Sequence, residues 1–172
     1  MNYLDWEYPG PKNTKASYLY AELVARNIPV VIMEPIRGGA LASLPKHFAL
    51  RLKEKEPDRS VASWAFRYLG GFPAILTVLS GMSEMAHLKD NLDTFCNLKT
   101  LDDSEVEMLY EMAAEMDSHP LIRCTGCRYC MPCPYGIDIP GIFAFYNNSV
   151  NEGTYVSSQE QKDYARAKRR YL

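Results

Sequence analysis

Four of the five cysteines fall within ten residues: Cys124, Cys127, Cys130 and Cys133. Their pattern is C-x2-C-x2-C-x2-C-P, closed by Pro134. Thiolates are soft ligands suited to zinc and to iron–sulfur clusters. A cubane cluster needs several thiolates at close quarters. A loop with two-residue spacers wraps its backbone round such a cluster and aims N–H groups at the sulfides. Gly126 suits a position where backbone must approach the inorganic core, and Pro132 and Pro134 stiffen the loop. Structural zinc is the rival reading. Four-cysteine zinc sites take two C-x2-4-C pairs on separate knuckles with a longer insert between them, and an unbroken run of four fits that poorly. A disulfide scaffold would spread its cysteines along the chain. The spacing therefore favours a 4Fe-4S cluster on Cys124, Cys127, Cys130 and Cys133. Cys96 stands alone beside Phe95 and reads as a small core residue.

The run is similar to the bacterial ferredoxin spacing C-x2-C-x2-C-x3-C-P, with the final spacer one residue shorter. In that pattern the last cysteine ligates the other cluster of a pair. Cys133 accordingly has two readings. It serves a second cluster, or the shorter spacer folds it back so that all four thiolates hold one.

The chain that must position this loop has 172 residues, 47% apolar and 23% charged, enough for a domain of ordinary size folded around a core. The net charge of −2 gives no electrostatic case for nucleic acid or an anionic membrane. The longest apolar stretches, residues 28–33 and 74–79, are too short to span a bilayer. The first seven residues show neither a basic start nor an apolar signal segment, so a cytoplasmic location, with thiols kept reduced, is the expectation. Lys168, Arg169 and Arg170 read as a solvated helix face rather than a phosphate-binding patch.

Periodicity supplies the elements. Residues 1–13 read as irregular, with Pro9, Gly10 and Pro11 as a breaker. A helix is predicted over 14–27, with Leu19, Leu23 and Val24 on one buried face. Residues 29–33 read as a strand buried on both faces, as in a parallel sheet. A polar stretch ending in Lys53, Glu54, Lys55 and Glu56 reads as a solvated helix or loop. Residues 60–69 form a second amphipathic helix, closed by Gly70 and Gly71. Residues 74–79 are a second buried strand, followed by a helix over 83–95. Asp102 and Glu105 match a capping box for a helix reaching residue 116, broken by His119 and Pro120. A short apolar helix over 139–146 follows the cysteine loop. Helix, strand, helix, strand, helix implies α/β organisation with parallel strands.

These strings together resemble one branch of the aldo/keto reductases. Residues 124–140 resemble that branch's C-terminal ferredoxin-like extension. Met33, Glu34, Pro35, Ile36, Arg37, Gly38, Gly39, Ala40 and Leu41 resemble the end of the seventh barrel strand and its loop. Leu79, Ser80, Gly81, Met82 and Ser83, with His87, Asp90 and Asn91, resemble the eighth strand and the start of its helix. The resemblance implies the C-terminal portion of a TIM (β/α)8 barrel over residues 1–118, with a trace of a further strand near Asn2 and Tyr3. A small helical, cysteine-rich iron–sulfur extension would occupy 119–172. It also implies that Ser83, His87 and Asn91, beside Gly81, grip the adenosine phosphate of NADP(H), and that Pro35, Ile36, Gly38 and Leu41 contact its pyrophosphate. Loops after the last strands of such barrels commonly hold phosphate, and a helix N-terminus favours an anion. The plainer reading of Ser83 is a helix N-cap.

The family's catalytic Asp, Tyr, Lys and His lie upstream of the matching segments, so no catalytic residue is carried over. The expectation is an incomplete chain: the cluster-binding part of an NAD(P)H-linked oxidoreductase, not competent for catalysis alone. Its partners would be a redox protein or the remainder of the barrel, with no nucleic acid and no membrane. Open strand edges would make it poorly soluble unless covered. The alternatives are a non-catalytic electron-relay module and a structural zinc protein.

Overall fold

The structure, a computed structural model, describes residues 1–6, 15–118, 121–122, 124 and 126–151. The breaker at Pro9, Gly10 and Pro11, the helix break at His119 and Pro120, and the basic tail lie outside the described residues. Among them the chain is α/β, with six α-helices and a two-stranded parallel sheet. It divides into two compact units, Met1–Ser118 and His119–Leu172, and each is described by itself. No helix among the described residues is long and apolar enough to cross a membrane.

In the first unit, helix α1 (Ala16–Ala25) leads to strand β1 (Val30–Ile32). A single 3-10 turn at Arg37–Gly39 precedes α2 (Lys46–Lys55) and α3 (Val61–Gly70). Strand β2 (Ile75–Val78), α4 (Met85–Cys96) and α5 (Asp103–Ser118) follow. β1 and β2 pair in parallel, Val30 opposite Ile75 and Ile32 opposite Val78, as the two apolar runs predict.

The core forms around α3. Ser63, Trp64, Ala65, Phe66, Arg67, Tyr68 and Leu69 are all buried, so this helix is enclosed on every side. Ser60 caps it, its hydroxyl accepting from the Ser63 N–H at 3.0 Å. The expected glycine stop works differently from a left-handed cap. Gly71 keeps right-handed backbone (φ −74°), while Gly70 clears a space that a Cβ would share with Leu98 Cδ2 at 2.8 Å. The Arg67 guanidinium is wholly enclosed. Its Nε donates to the Lys99 carbonyl at 2.7 Å and its Nη1 to Glu56 Oε2 at 2.8 Å. Its Nη2 lies 3.6 Å from Glu105 Oε2. The same Glu105 closes the predicted capping box on α5. The Asp102 N–H donates to Glu105 Oε2 at 3.0 Å, and the Glu105 N–H donates to Asp102 Oδ1 at 2.9 Å.

Several expectations about burial do not hold. Leu19 and Val24 of α1 are exposed. Tyr20 docks this helix instead, its ring against Trp6 and Phe72 and its hydroxyl accepting from the Ala74 N–H. The strands are not buried on both faces. Ile32 is buried, while Val31, Met33, Leu76 and Leu79 are at least half exposed, because the helices of the core cover only one side of the sheet. The polar stretch before α3 is an amphipathic helix, α2, which buries Phe48 and Leu52. Asn2 and Tyr3 are buried in a turn rather than a strand. The Asn2 side chain accepts from the Leu4 and Asp5 N–H groups and donates to the Glu34 carbonyl at 3.3 Å, which holds the turn beside the end of β1. Cys96 is exposed at the end of α4, on a side of that helix away from Thr94, its buried residue.

The second unit carries the cysteine loop and then α6 (Ile139–Asn151), which runs longer than its apolar stretch predicts. No side chain among its described residues is buried. Asn147 ties the helix back to the chain before the loop. Its side chain accepts from the Ile122 N–H and donates to the Ile122 carbonyl, both at 2.8 Å.

Candidate functional site

Both strands of the first unit end at one cleft, of about 530 Å³. Residues 34–39 leave the C-terminal end of β1 on one side, and residues 79–83 leave the end of β2 on the other. Ala62 and Phe66 of α3 also line it. Parallel sheets place ligand sites at this end of their strands.

The loop after β1 is unusually folded. Glu34 (φ 51°) and Arg37 (φ 53°) both adopt left-handed backbone, as does Gly38 (φ 63°). Left-handed conformations at residues with a Cβ carry a cost of about 1 kcal/mol or more and persist only where surroundings hold them. Here the Arg37 N–H donates to the Glu34 carbonyl at 3.1 Å, and the Gly39 and Leu41 N–H groups both donate to the Ile36 carbonyl at 3.1 Å. The Arg37 guanidinium turns to Asp5, 3.6 Å away.

The structure brings together seven of the eight positions expected to contact a nucleotide. Pro35, Ile36, Gly38, Gly81, Ser83, His87 and Asn91 all line the cleft. Leu41 does not. It is fully buried in the core, and its part is to anchor the loop through its N–H. Ser83 is not the cap of α4, because the N-cap position falls on Glu84 and no side chain caps that first turn. Asn91 donates to the Ser80 hydroxyl at 3.0 Å, which ties α4 to the segment leaving β2.

Four polar lining residues were not among the expected contacts. Glu34 and Asp90 bring carboxylates, and Ser43 and Ser80 bring hydroxyls. Asp90 Oδ2 accepts from the Ser60 hydroxyl at 2.6 Å, so the cap of α3 is itself braced from α4. Glu34, Ser80 and Asp90 stand in the strings that carry the resemblance, without an expected contact of their own; Ser43 lies outside them. His87 is the only potentially cationic side chain among the described lining residues; no Lys or Arg joins it.

In the second unit all four clustered cysteines are free thiols, with Cys127 and Cys130 exposed and Cys124 and Cys133 partly so. Two tight turns shape the loop. The Met131 N–H donates to the Arg128 carbonyl at 2.8 Å, with Arg128 left-handed (φ 61°). The Gly136 N–H donates to the Cys133 carbonyl at 3.0 Å, with Gly136 at φ 72°. Gly126 is also left-handed (φ 68°), and its N–H donates to Cys124 Sγ at 3.4 Å. Cysteine thiolates are the ligands of iron–sulfur clusters, and a backbone N–H on a cysteine sulfur is of the kind that tunes them, so the donor types suit such a group. Among the described residues, no three His, Cys, Asp or Glu side chains already converge as a metal site. Compared with protein-family models, with curated proteins and with solved structures, the chain matches none.

Proposed function

We propose that the chain is the iron–sulfur part of a nicotinamide-linked oxidoreductase resembling the aldo/keto reductases. Cys124, Cys127, Cys130 and Cys133 would hold a 4Fe-4S cluster, and the cleft beyond β1 and β2 would take the adenosine end of the dinucleotide. The observation that carries the reading is a mismatch in the second unit. It has four free thiols in one tightly turned loop and no buried side chain among its described residues. A small unit this open among its described residues calls for another staple, and thiolates bind a metal group as they fold around it, so a converged set is not required beforehand. When bound, such a cluster supplies one-electron transfer. The first unit supports the companion reading. Two parallel strands with a cleft at their C-terminal ends are what the last strands of a TIM barrel would provide.

The test is spectroscopic. Protein prepared without oxygen should be brown, with broad visible absorbance that bleaches on reduction by dithionite. A colourless protein carrying one zinc would overturn the cluster and favour the structural-zinc reading. For the cleft, Ser83→Ala and His87→Ala should each weaken dinucleotide binding by about threefold to tenfold, the worth of one hydrogen bond. Unchanged binding in both would overturn the nucleotide assignment.

A further inference from the structure

The cleft's charge narrows what it takes. Of the ionisable side chains among its described lining residues, Glu34 and Asp90 are acids and His87 is the sole base. Of the cations beside lining residues in sequence, Arg37 is directed to Asp5, Arg67 is buried and paired with Glu56, and the exposed Lys89 does not line the cleft. A ribose phosphate monoester carries close to two negative charges at neutral pH and calls for Arg or Lys. A ribose diol calls for a carboxylate that accepts from its hydroxyls, the device by which dinucleotide sites read an unphosphorylated ribose. Resting on the nucleotide reading above, we infer that the cleft takes a dinucleotide with free adenosine-ribose hydroxyls, of the NADH type, and rejects one bearing the 2′-phosphate.

The resemblance alone implies NADP(H); the lining implies the opposite selectivity. Ser83 and the uncapped first turn of α4 remain suited to the singly charged phosphates of the pyrophosphate bridge, as helix N-termini generally are. The added monoester would meet two carboxylates across the cleft. Asp90 lines the cleft while its Oδ2 accepts from the Ser60 hydroxyl, and under this inference its carboxylate accepts from a ribose hydroxyl. Glu34 is an exposed lining residue of the cleft, on a loop with left-handed backbone.

The experiment is a pair of fluorescence titrations of the full chain with NADH and with NADPH, at low salt and at high salt. NADH should bind at least about tenfold more tightly at low salt, the effect of one partly screened charge repulsion, and the gap should shrink as salt screens it. Equal or tighter binding of NADPH would overturn the inference and leave a nucleotide cleft of ordinary kind. Binding of neither would overturn the nucleotide reading itself. Glu34→Gln, at an exposed position where folding is not at stake, should reduce the preference by about threefold. An unchanged preference in that variant and in Asp90→Asn would remove the carboxylates from the account.

Discussion

The two units of this chain are held together by different means. The first closes around Trp64, Tyr68 and Leu69 on α3, with Arg67 buried among them and paired to Glu56 and Glu105. The second has no buried side chain among its described residues and exposes Tyr129, Tyr135 and Phe145 almost fully. The contrast teaches where each unit's stability must come from. Burial of a large apolar side chain contributes about 1.5–3 kcal/mol, and the core cluster of the first unit has eleven such residues among those described. Among its described residues the second shows hydrogen bonds, such as those at Asn147, and four thiols, so under the cluster proposal a bound group would supply its cohesion.

The comparison can be broken at either end. The largest effect belongs to the second unit. Replacing Cys127 and Cys130 by Ser should abolish cluster binding and, with it, amide-exchange protection along α6. The first unit should keep its own unfolding transition, reported by Trp6 and Trp64, the chain's two tryptophans. Protection of α6 that survives in this variant would mean that the unit does not depend on a bound group. In the first unit, Arg67→Met should cost about 3 kcal/mol in urea unfolding, because it leaves two carboxylates facing a site built for a cation. Cluster content should not change.

A smaller effect lies at Tyr3, whose buried hydroxyl has no hydrogen-bond partner among the described residues. Tyr3→Phe should be neutral or stabilising by about 1 kcal/mol. Burial also pushes the Tyr3 phenol well above its ordinary value. The buried form therefore stays neutral while the unfolded chain ionises above a pH of about 10. Stability contributed by the neutral ring is complete below that pH and falls as pH rises beyond it; the phenylalanine variant should lose less. The smallest effect is at α5. The Ser104 hydroxyl, and then the Glu105 N–H, hold the exposed Asp102 carboxyl below its ordinary value. Its cap is in place above a pH of about 4 and is lost as pH falls through the lowered folded value, so the protection of the Glu105 amide, taken relative to its intrinsic exchange rate at each pH, should fall as pH drops below about 4.

What the sequence made legible was local. Asp102 with Glu105, and Ser60 before α3, announce caps through side chains that bond within three residues. The parallel pairing of two short apolar runs follows from the helices between them. Sidedness was not legible. Leu19, Val24, Val31 and Leu76 carry apolar periodicity, but periodicity does not say which face another element covers. Tyr20, Trp6 and Phe72 instead settle the docking of α1 through ring contacts between distant positions. The cleft was legible as a set of loop positions and not as a charge, since Glu34 and Asp90 enter it only once both strands are paired. Leu41 shares the sequence string of its cleft neighbours, yet the turn at Arg37–Gly39 carries it into the core.

The most direct test of the claim that four thiolates staple the second unit is elemental. Iron, acid-labile sulfide and zinc should be measured per chain on protein made and kept without oxygen. The account predicts about four iron and four sulfide per chain and almost no zinc, the content of one cubane cluster. Stoichiometric zinc without sulfide, or protein free of all three with α6 still protected from exchange, would contradict it.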